Sequence, residues 1–154
     1  MEFLSKLHPV TVHFPIAIMI VYSLFEIFAL FKNDLTFYKT SLVLLIIGIT
    51  GAVLSVLTGN QAMHLLNESA VTISPELSTA VSAHEDSANL FLWYFIFFTV
   101  LRVYLHISKK ILLKIRYILA ILLIFGIYFT YETGRLGGIL VYKFGVGTDL
   151  ILHK

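Results

Sequence analysis

Residues 40–67, TSLVLLIIGITGAVLSVLTGNQAMHLLN, decide the fold class, because no Asp, Glu, Lys or Arg occurs among them. The hydrocarbon core of a bilayer is about 30 Å thick, and about 20 consecutive apolar residues in a helix cross it. This stretch is long enough to cross the core and to project beyond it. It therefore predicts a transmembrane helix.

The overall composition is that of a protein that lies in lipid. Hydrophobic residues make up 58% of the 154 residues and charged residues only 13%, whereas soluble domains average about half apolar and a quarter charged. The mean hydropathy is +0.91. Four spans with their connections account for nearly the whole length, so no room remains for a separate soluble domain.

Two properties of the sequence exclude classes of function. The chain contains no cysteine, which excludes structural disulfides, thiolate zinc sites, iron–sulfur clusters and covalently attached c-type haem. The net charge is only +2, and the basic residues sit in short connections. We therefore expect no nucleic acid partner and expect the lipid bilayer to be the main one.

Three further stretches have the length and polarity of spans. The third helix is predicted to begin at 74–76, Ser-Pro-Glu, because Ser is a good N-cap, Pro suits the first helical position and an acid suits the first turn. The prediction is an all-α integral membrane protein with one domain, residues 1–154. Its four-helix transmembrane bundle has spans at about 10–31, 40–62, 88–107 and 115–133.

The tail, residues 134–154, is predicted to be extended. Its glycines and the β-favouring Ile-Leu-Val-Tyr run at 139–142 suggest a segment that folds over the end of the bundle. Such a segment would cover a cofactor bound at that end.

The distribution of Lys and Arg predicts the orientation. The first and third connections hold seven basic residues, and the amino end, second connection and tail hold four over a longer length. By the positive-inside rule the first group is cytoplasmic, so both termini face outward. The prediction is a multi-pass protein of the bacterial inner membrane with both termini on the periplasmic side. The seven are Lys32, Lys39, Arg102, Lys109, Lys110, Lys114 and Arg116; the four are Lys6, Arg135, Lys143 and Lys154.

Two charged residues, Glu26 and Arg102, lie several residues inside the ends of predicted spans. Arg102 is expected to snorkel toward the near surface. Glu26 is a functional candidate because acids within spans are costly, but it lies about six residues from the cytoplasmic end, where snorkelling is equally expected. Glu26 is therefore left out of the predicted site.

Four of the six histidines fall at one level. At about 1.5 Å per residue, about 20 residues from the cytoplasmic boundary bring each helix to the outer interface, near His13, Gly59 and Asp86. A single imidazole at an interface is more often inert than a ligand. Four at one height predict that at least two bind a metal or cofactor. The four are His8, His13, His64 and His84; His106 lies on the opposite side and His153 in the tail.

Haem b is the preferred cofactor, since it needs two imidazoles from different helices, an apolar slot and polar groups near its propionates. His13 and His84 are the candidate axial ligands, and a second haem would use His8 and His64. The slot would be lined by Gly59, Phe91, Trp93, Tyr94 and Phe95, with Arg135 or Lys143 at the propionates.

Two alternatives stay open. One is a zinc or copper site of three imidazoles and a carboxylate from Glu85 or Asp86, with a structural or sensory role. The other is a cofactor-free subunit that anchors or assembles a membrane complex. No His-Glu-x-x-His motif, Ser-His-Asp pattern or phosphate-cradling loop is visible, so no independent catalytic activity is expected.

The chain resembles the bacterial membrane family catalogued as domain of unknown function 2231. The resemblance lies in 7–9, Leu-His-Pro; 12–15, Val-His-Phe-Pro; 83–84, Ala-His; and the glycine-rich close at 137–147. His64 lies outside this pattern. Some relatives resemble fusions to Rieske iron–sulfur or cytochrome-like modules, which implies a role in electron transfer.

The preferred interpretation is thus a cytochrome-like subunit that carries electrons between the quinone pool and a periplasmic partner. That partner would be a cytochrome or Rieske-type protein, or a larger membrane complex.

Overall fold

The computed structural model describes residues 2–68, 73–110 and 112–148, which are helical apart from short turns and connections. No strand occurs in these ranges, so the all-α prediction is confirmed. The helices are α1 (Glu2–Thr11), α2 (His13–Lys32), α3 (Leu35–Glu68), α4 (Pro75–Ile107) and α5 (Leu113–Phe144).

Four helical segments are long and apolar enough to cross a membrane, as predicted. They are Leu7–Lys32, which combines the end of α1 with α2, then Leu35–Leu65, Pro75–Ile107 and Leu113–Phe144. Large apolar side chains point outward along all of them; Trp93, for example, is 67% exposed and Phe97 66%. Such a surface is stable against lipid tails and not against water.

The first span is built from two helices because Pro15 interrupts its hydrogen bonding. Pro15 has no N–H, so the carbonyl of Thr11 lacks its usual partner four residues on. The hydroxyl of Ser55 in α3 lies 3.1 Å from that carbonyl and shares its one hydrogen between it and the carbonyl of Gly51, at 3.0 Å. The break between α1 and α2 is thereby fixed against α3.

The predicted start of the third span is confirmed. Ser74 is the N-cap of α4, and its hydroxyl accepts a hydrogen bond from the N–H of Leu77 at 3.2 Å, with Pro75 at the first position and Glu76 in the first turn. A side-chain acceptor at this position satisfies one of the free N–H groups of the helix end.

The prediction of an extended tail is wrong for residues 134–144, which continue α5. Strand propensity depends on partner strands and on burial, and here the run packs on α4 and keeps its hydrogen bonds within the helix. The helix ends at Gly145, which has φ 69°, and the N–H of Val146 returns to the carbonyl of Leu140 at 3.0 Å. This is a helix C-cap with glycine in the left-handed conformation. The remainder of the predicted tail, 149–154, lies outside the described residues.

Aromatic side chains from α4 fill much of the bundle core. Phe91 and Phe95 lie 4.9 Å apart between ring centroids, and Tyr22 of α2 meets Phe98 edge-on at 6.4 Å. Gly126 of α5 makes room for Phe95, since a Cβ at that glycine would stand 2.8 Å from Cζ of the ring. The buried core is Met19, Tyr22, Leu45, Ala52, Phe91, Phe95, Phe98, Leu105, Leu119 and Leu123.

A buried ion pair crosses the core. Arg102 of α4 is 0% exposed and Glu26 of α2 is 3% exposed, and they meet at 2.7 Å. Ser41 of α3 donates a further hydrogen bond to the same carboxylate oxygen at 2.5 Å. The expectation that Arg102 snorkels to the surface is therefore wrong. An arginine that is alone in a span must extend to water, but Arg102 has a carboxylate partner on the facing helix and stays buried.

We expect Arg102→Ala to lower the free energy of unfolding by about 3–5 kcal/mol, because it leaves the Glu26 carboxylate buried without its partner. The matched control is Arg135→Ala, which removes the exposed Arg135–Glu132 pair and should change stability little. Detergent titration of the purified variants measures both. Equal losses in the two variants would contradict the buried pair.

Candidate functional site

His8 lies on α1 and is held by a hydroxyl of α3. Its Nδ1 is 3.1 Å from Oγ1 of Thr58, and that hydroxyl donates to the carbonyl of Ser55 at 3.0 Å. Since a hydroxyl has one hydrogen to donate, Thr58 accepts from Nδ1–H of neutral His8. Nε2 of His8 then keeps its lone pair, which is the arrangement found when a second hydrogen bond orients a ligating histidine.

The ring of His8 rests on a glycine of α3. A Cβ at Gly59 would stand 2.8 Å from Cε1 of His8 and 3.4 Å from Nε2. Any larger residue would displace the imidazole, so Gly59 fixes how closely α1 approaches α3. The predicted site residue Gly59 is therefore in contact with a histidine.

The ring of His84 on α4 packs in a similar way on a glycine of α5. A Cβ at Gly137 would stand 3.2 Å from Cε1 of His84, and the ring also neighbours the backbone carbonyl of Thr133. Its Nδ1 is buried and has no hydrogen-bond partner among the residues that the structure describes. A buried ring nitrogen without a partner is costly unless it binds something.

The two imidazoles lie at the same end of the bundle. His8 and His84 are close enough for the charge of one ring to act on the other. Gly59, His84 and Gly137 lie far from the other end of the bundle, where α3 and α5 begin and α4 ends. At 1.5 Å per residue, each is about 35 Å from that end of its own helix. This slightly exceeds the thickness of the hydrocarbon core, about 30 Å. We call this end of the bundle, with His8 and His84, the histidine end.

The other predicted histidine ligands lie elsewhere on the surface. His13 is exposed, and its Nδ1 is 2.6 Å from the carbonyl oxygen of Pro9. His64 is exposed and contacts Glu68 at 3.2 Å. His106 lies in the last turn of α4, at the opposite end of the bundle. His153 is outside the described residues. The structure thus places His8 and His84 at the same end of the bundle and gives His13 and His64 partners of their own.

The carboxylates named for a zinc or copper site do not join the histidines. Glu85 and Asp86 are exposed on α4. Within 2–68, 73–110 and 112–148, no group of three or more His, Asp or Glu residues is placed to hold a metal ion. The predicted site of three imidazoles and a carboxylate is therefore not assembled in the described part of the chain.

The other predicted pocket residues have different surroundings. Arg135 is exposed and makes two hydrogen bonds to Glu132, at 2.8 and 2.5 Å. Lys143 is exposed and lies over the ring of Phe144. In the aromatic run of α4, Phe91 and Phe95 are buried in the core, Tyr94 donates to the carbonyl of Leu122 and Trp93 faces outward.

Sequence reasoning missed the residues that orient the histidines. Thr58 and Thr11 form a hydroxyl pair at 3.1 Å beside His8, and Gly137 supports His84. The signal was present in the sequence, since Thr58 directly precedes Gly59, and Gly137 belongs to a glycine pair. The sequence alone could not show which histidine each of these residues contacts, because the contacts depend on how the helices pack.

The donor set suits a metal that takes imidazole nitrogen, haem iron included. Three observations fit such a group: Nδ1 of His8 is held by a hydroxyl, Nδ1 of His84 lacks a described partner, and two glycines bring both rings against neighbouring helices. The ligand pair would be His8 and His84.

Adjacent glycines of α5 provide a test of this placement. A Cβ at Gly137 would press on His84, whereas a Cβ at Gly138 would meet only Tyr142, at 3.9 Å. We expect Gly137→Ala to shift the ring resonances of His84 in ¹⁵N-histidine NMR spectra and Gly138→Ala to leave them in place. Both changes add the same helix propensity. Unchanged His84 resonances in Gly137→Ala would refute the contact.

The comparison with known proteins agrees with the resemblance seen in the histidine motifs. The model of a family described as predicted membrane protein, DUF2231, matches residues 5–150. No curated protein and no solved structure matches the chain. Because the family match spans nearly the whole sequence, the chain belongs to the DUF2231 family of membrane proteins.

Proposed function

We propose that the protein is a haem b-binding, cytochrome-like membrane subunit that transfers electrons, with His8 and His84 as the axial ligands. The observation that carries the proposal is the pair of imidazoles from α1 and α4 at one end of an apolar bundle, each packed on a glycine. Two imidazoles from different helices are the ligand set of b-type haems in helical bundles.

The chain's own residues prepare the ligands. Thr58 accepts from Nδ1–H of His8 and so fixes both the tautomer and the direction of Nε2. Gly59 and Gly137 allow the two rings to lie against the backbones of α3 and α5. Bound between these rings, haem iron would supply a one-electron couple, whose potential depends on the apolar surroundings.

The position of the histidine end suits exchange with a partner in water. Helices α3, α4 and α5 contain 34, 33 and 32 residues, about 50 Å each, while a bilayer core needs about 30 Å. A second apolar cluster of Leu77, Val81 and Leu140 stabilises the projecting part. In the proposed orientation this part is periplasmic, where a cytochrome, a Rieske-type protein or a larger complex would exchange electrons that come from the quinone pool.

The visible spectrum tests the cofactor. We expect protein purified from haem-replete cells to show Soret and α bands after reduction. His8→Ala and His84→Ala should each remove most of this absorbance, since each deletes a ligand. His13→Ala and His64→Ala are matched controls, because both side chains are exposed, and they should keep it.

Two results would contradict the proposal. One is a colourless wild-type protein, particularly with one zinc or copper per chain by elemental analysis. The other is equal haem loss in the exposed and the paired histidine variants, which would point to general unfolding.

The proposed orientation has its own test. Because the chain contains no cysteine, a single introduced cysteine is the only thiol of the protein that a maleimide can label. We expect a membrane-impermeant maleimide to label Glu85→Cys in spheroplasts and Lys39→Cys only after the membrane is permeabilised. Both positions are exposed on their helices. The reverse pattern would place the histidine end in the cytoplasm.

A further inference from the structure

The bundle contains a second polar cluster at the end opposite the histidines. It is made of Glu26, Arg102, Ser41 and two tyrosines, Tyr22 and Tyr38. Glu26, Ser41 and Arg102 lie about six residues from the nearest ends of α2, α3 and α4, or about 9 Å inside the bundle. All five side chains are buried; Tyr22 and Arg102 are 0% exposed and Tyr38 is 2%. We call it the arginine cluster.

Arg102 uses only part of its hydrogen-bonding capacity. Nη2 contacts Glu26 at 2.7 Å and Ser41 at 3.0 Å, and the guanidinium lies 3.7 Å from the ring centroid of Tyr38. Nε and Nη1 are buried without a partner among the described residues, as are the hydroxyls of Tyr22 and Tyr38. Both phenols lie within reach of the Arg102 guanidinium, but without the geometry of a full hydrogen bond. Four polar atoms of this cluster, two of them in the guanidinium itself, thus lack a full hydrogen bond among the described residues.

The cluster also carries an excess of positive charge. Arg116 of α5, 6% exposed, lies 5.2 Å from the same Tyr38 ring. It donates to two neutral oxygens, the carbonyl of Ala29 and Oδ1 of Asn33. Among the described contacts, Arg102 has Glu26 as its carboxylate partner, and Arg116 has none. Asp34, in the α2–α3 connection, accepts from the N–H of Thr36 at 2.6 Å.

We propose that the arginine cluster binds a small inorganic anion of halide size, held by Nε and Nη1 of Arg102 and the hydroxyls of Tyr22 and Tyr38. Guanidinium nitrogens only donate, and phenols can donate as well. An anion accepts from all four and offsets the excess charge. Water offers two lone pairs and no charge, so it meets fewer of these needs.

The role of this anion is to hold the helices together within the membrane. Its ligands come from α2, α3 and α4, and Arg102 joins it to Glu26. Unpaired donors in a lipid-embedded bundle cost free energy, so the anion would act as a structural ligand. This site is independent of the histidine end.

Anion-dependent stability tests the proposal. Thermal unfolding of the purified full chain would be followed in sodium chloride and bromide, and in sodium gluconate at matched ionic strength. We expect the halides to raise Tm in a saturable way, by roughly 5 °C at concentrations about 100 times Kd. Gluconate is much larger than a halide ion and should have no such effect.

Tyr22→Phe is the diagnostic variant, because it keeps the ring in the core and removes only one anion ligand. It should shift the halide midpoint to at least several-fold higher concentration. Tyr128→Phe, which removes an exposed hydroxyl, is the matched control and should behave as wild type. Equal Tm values in halide and gluconate, or a wild-type midpoint in Tyr22→Phe, would overturn the proposal.

Discussion

The absence of water in the hydrocarbon core is the constraint on which this structure depends. Every backbone N–H and C=O in a span needs a partner within the protein, which explains why the described chain is almost wholly helical. Polar side chains must then be gathered inside the bundle. They form two groups, the histidine end and the arginine cluster, separated by a core of aromatic and aliphatic residues. Where Pro15 removes an N–H, the hydroxyl of Ser55 reaches the carbonyl that lost its partner.

The two groups differ in what their chemistry allows. At the arginine cluster, the buried carboxylate of Glu26 in α2 contacts Arg102 of α4 and Ser41 of α3. These contacts join three helices, so a role in stability follows directly. At the histidine end, Nδ1 of His84 has no partner among the described residues, and Nδ1 of His8 faces a hydroxyl. A ligand bound there would meet two imidazoles and no ion pair. In the proposed function, stability and chemistry therefore lie at opposite ends of one bundle.

The sequence predicted the parts of the fold that depend on composition alone. The charge-free run at 40–67 and the capping residues at 74–76 required no knowledge of packing, and both predictions are confirmed. The helical course of 134–144 was missed because local strand propensity is weak evidence beside burial. Arg102 was misplaced because its partner, Glu26, lies on another helix. The proposed pairing of His84 with His8 depends on how closely the two rings pack on Gly59 and Gly137. These contacts join different helices, so the spacing of residues along the sequence does not reveal them.

The central claim is that His8 and His84 act together as a ligand pair. Near-infrared magnetic circular dichroism of the oxidised protein, after titration with haemin, tests it most directly because it distinguishes axial ligand pairs. The account predicts one low-spin haem per chain with two imidazole ligands. A high-spin spectrum, a single imidazole, or no binding would contradict it.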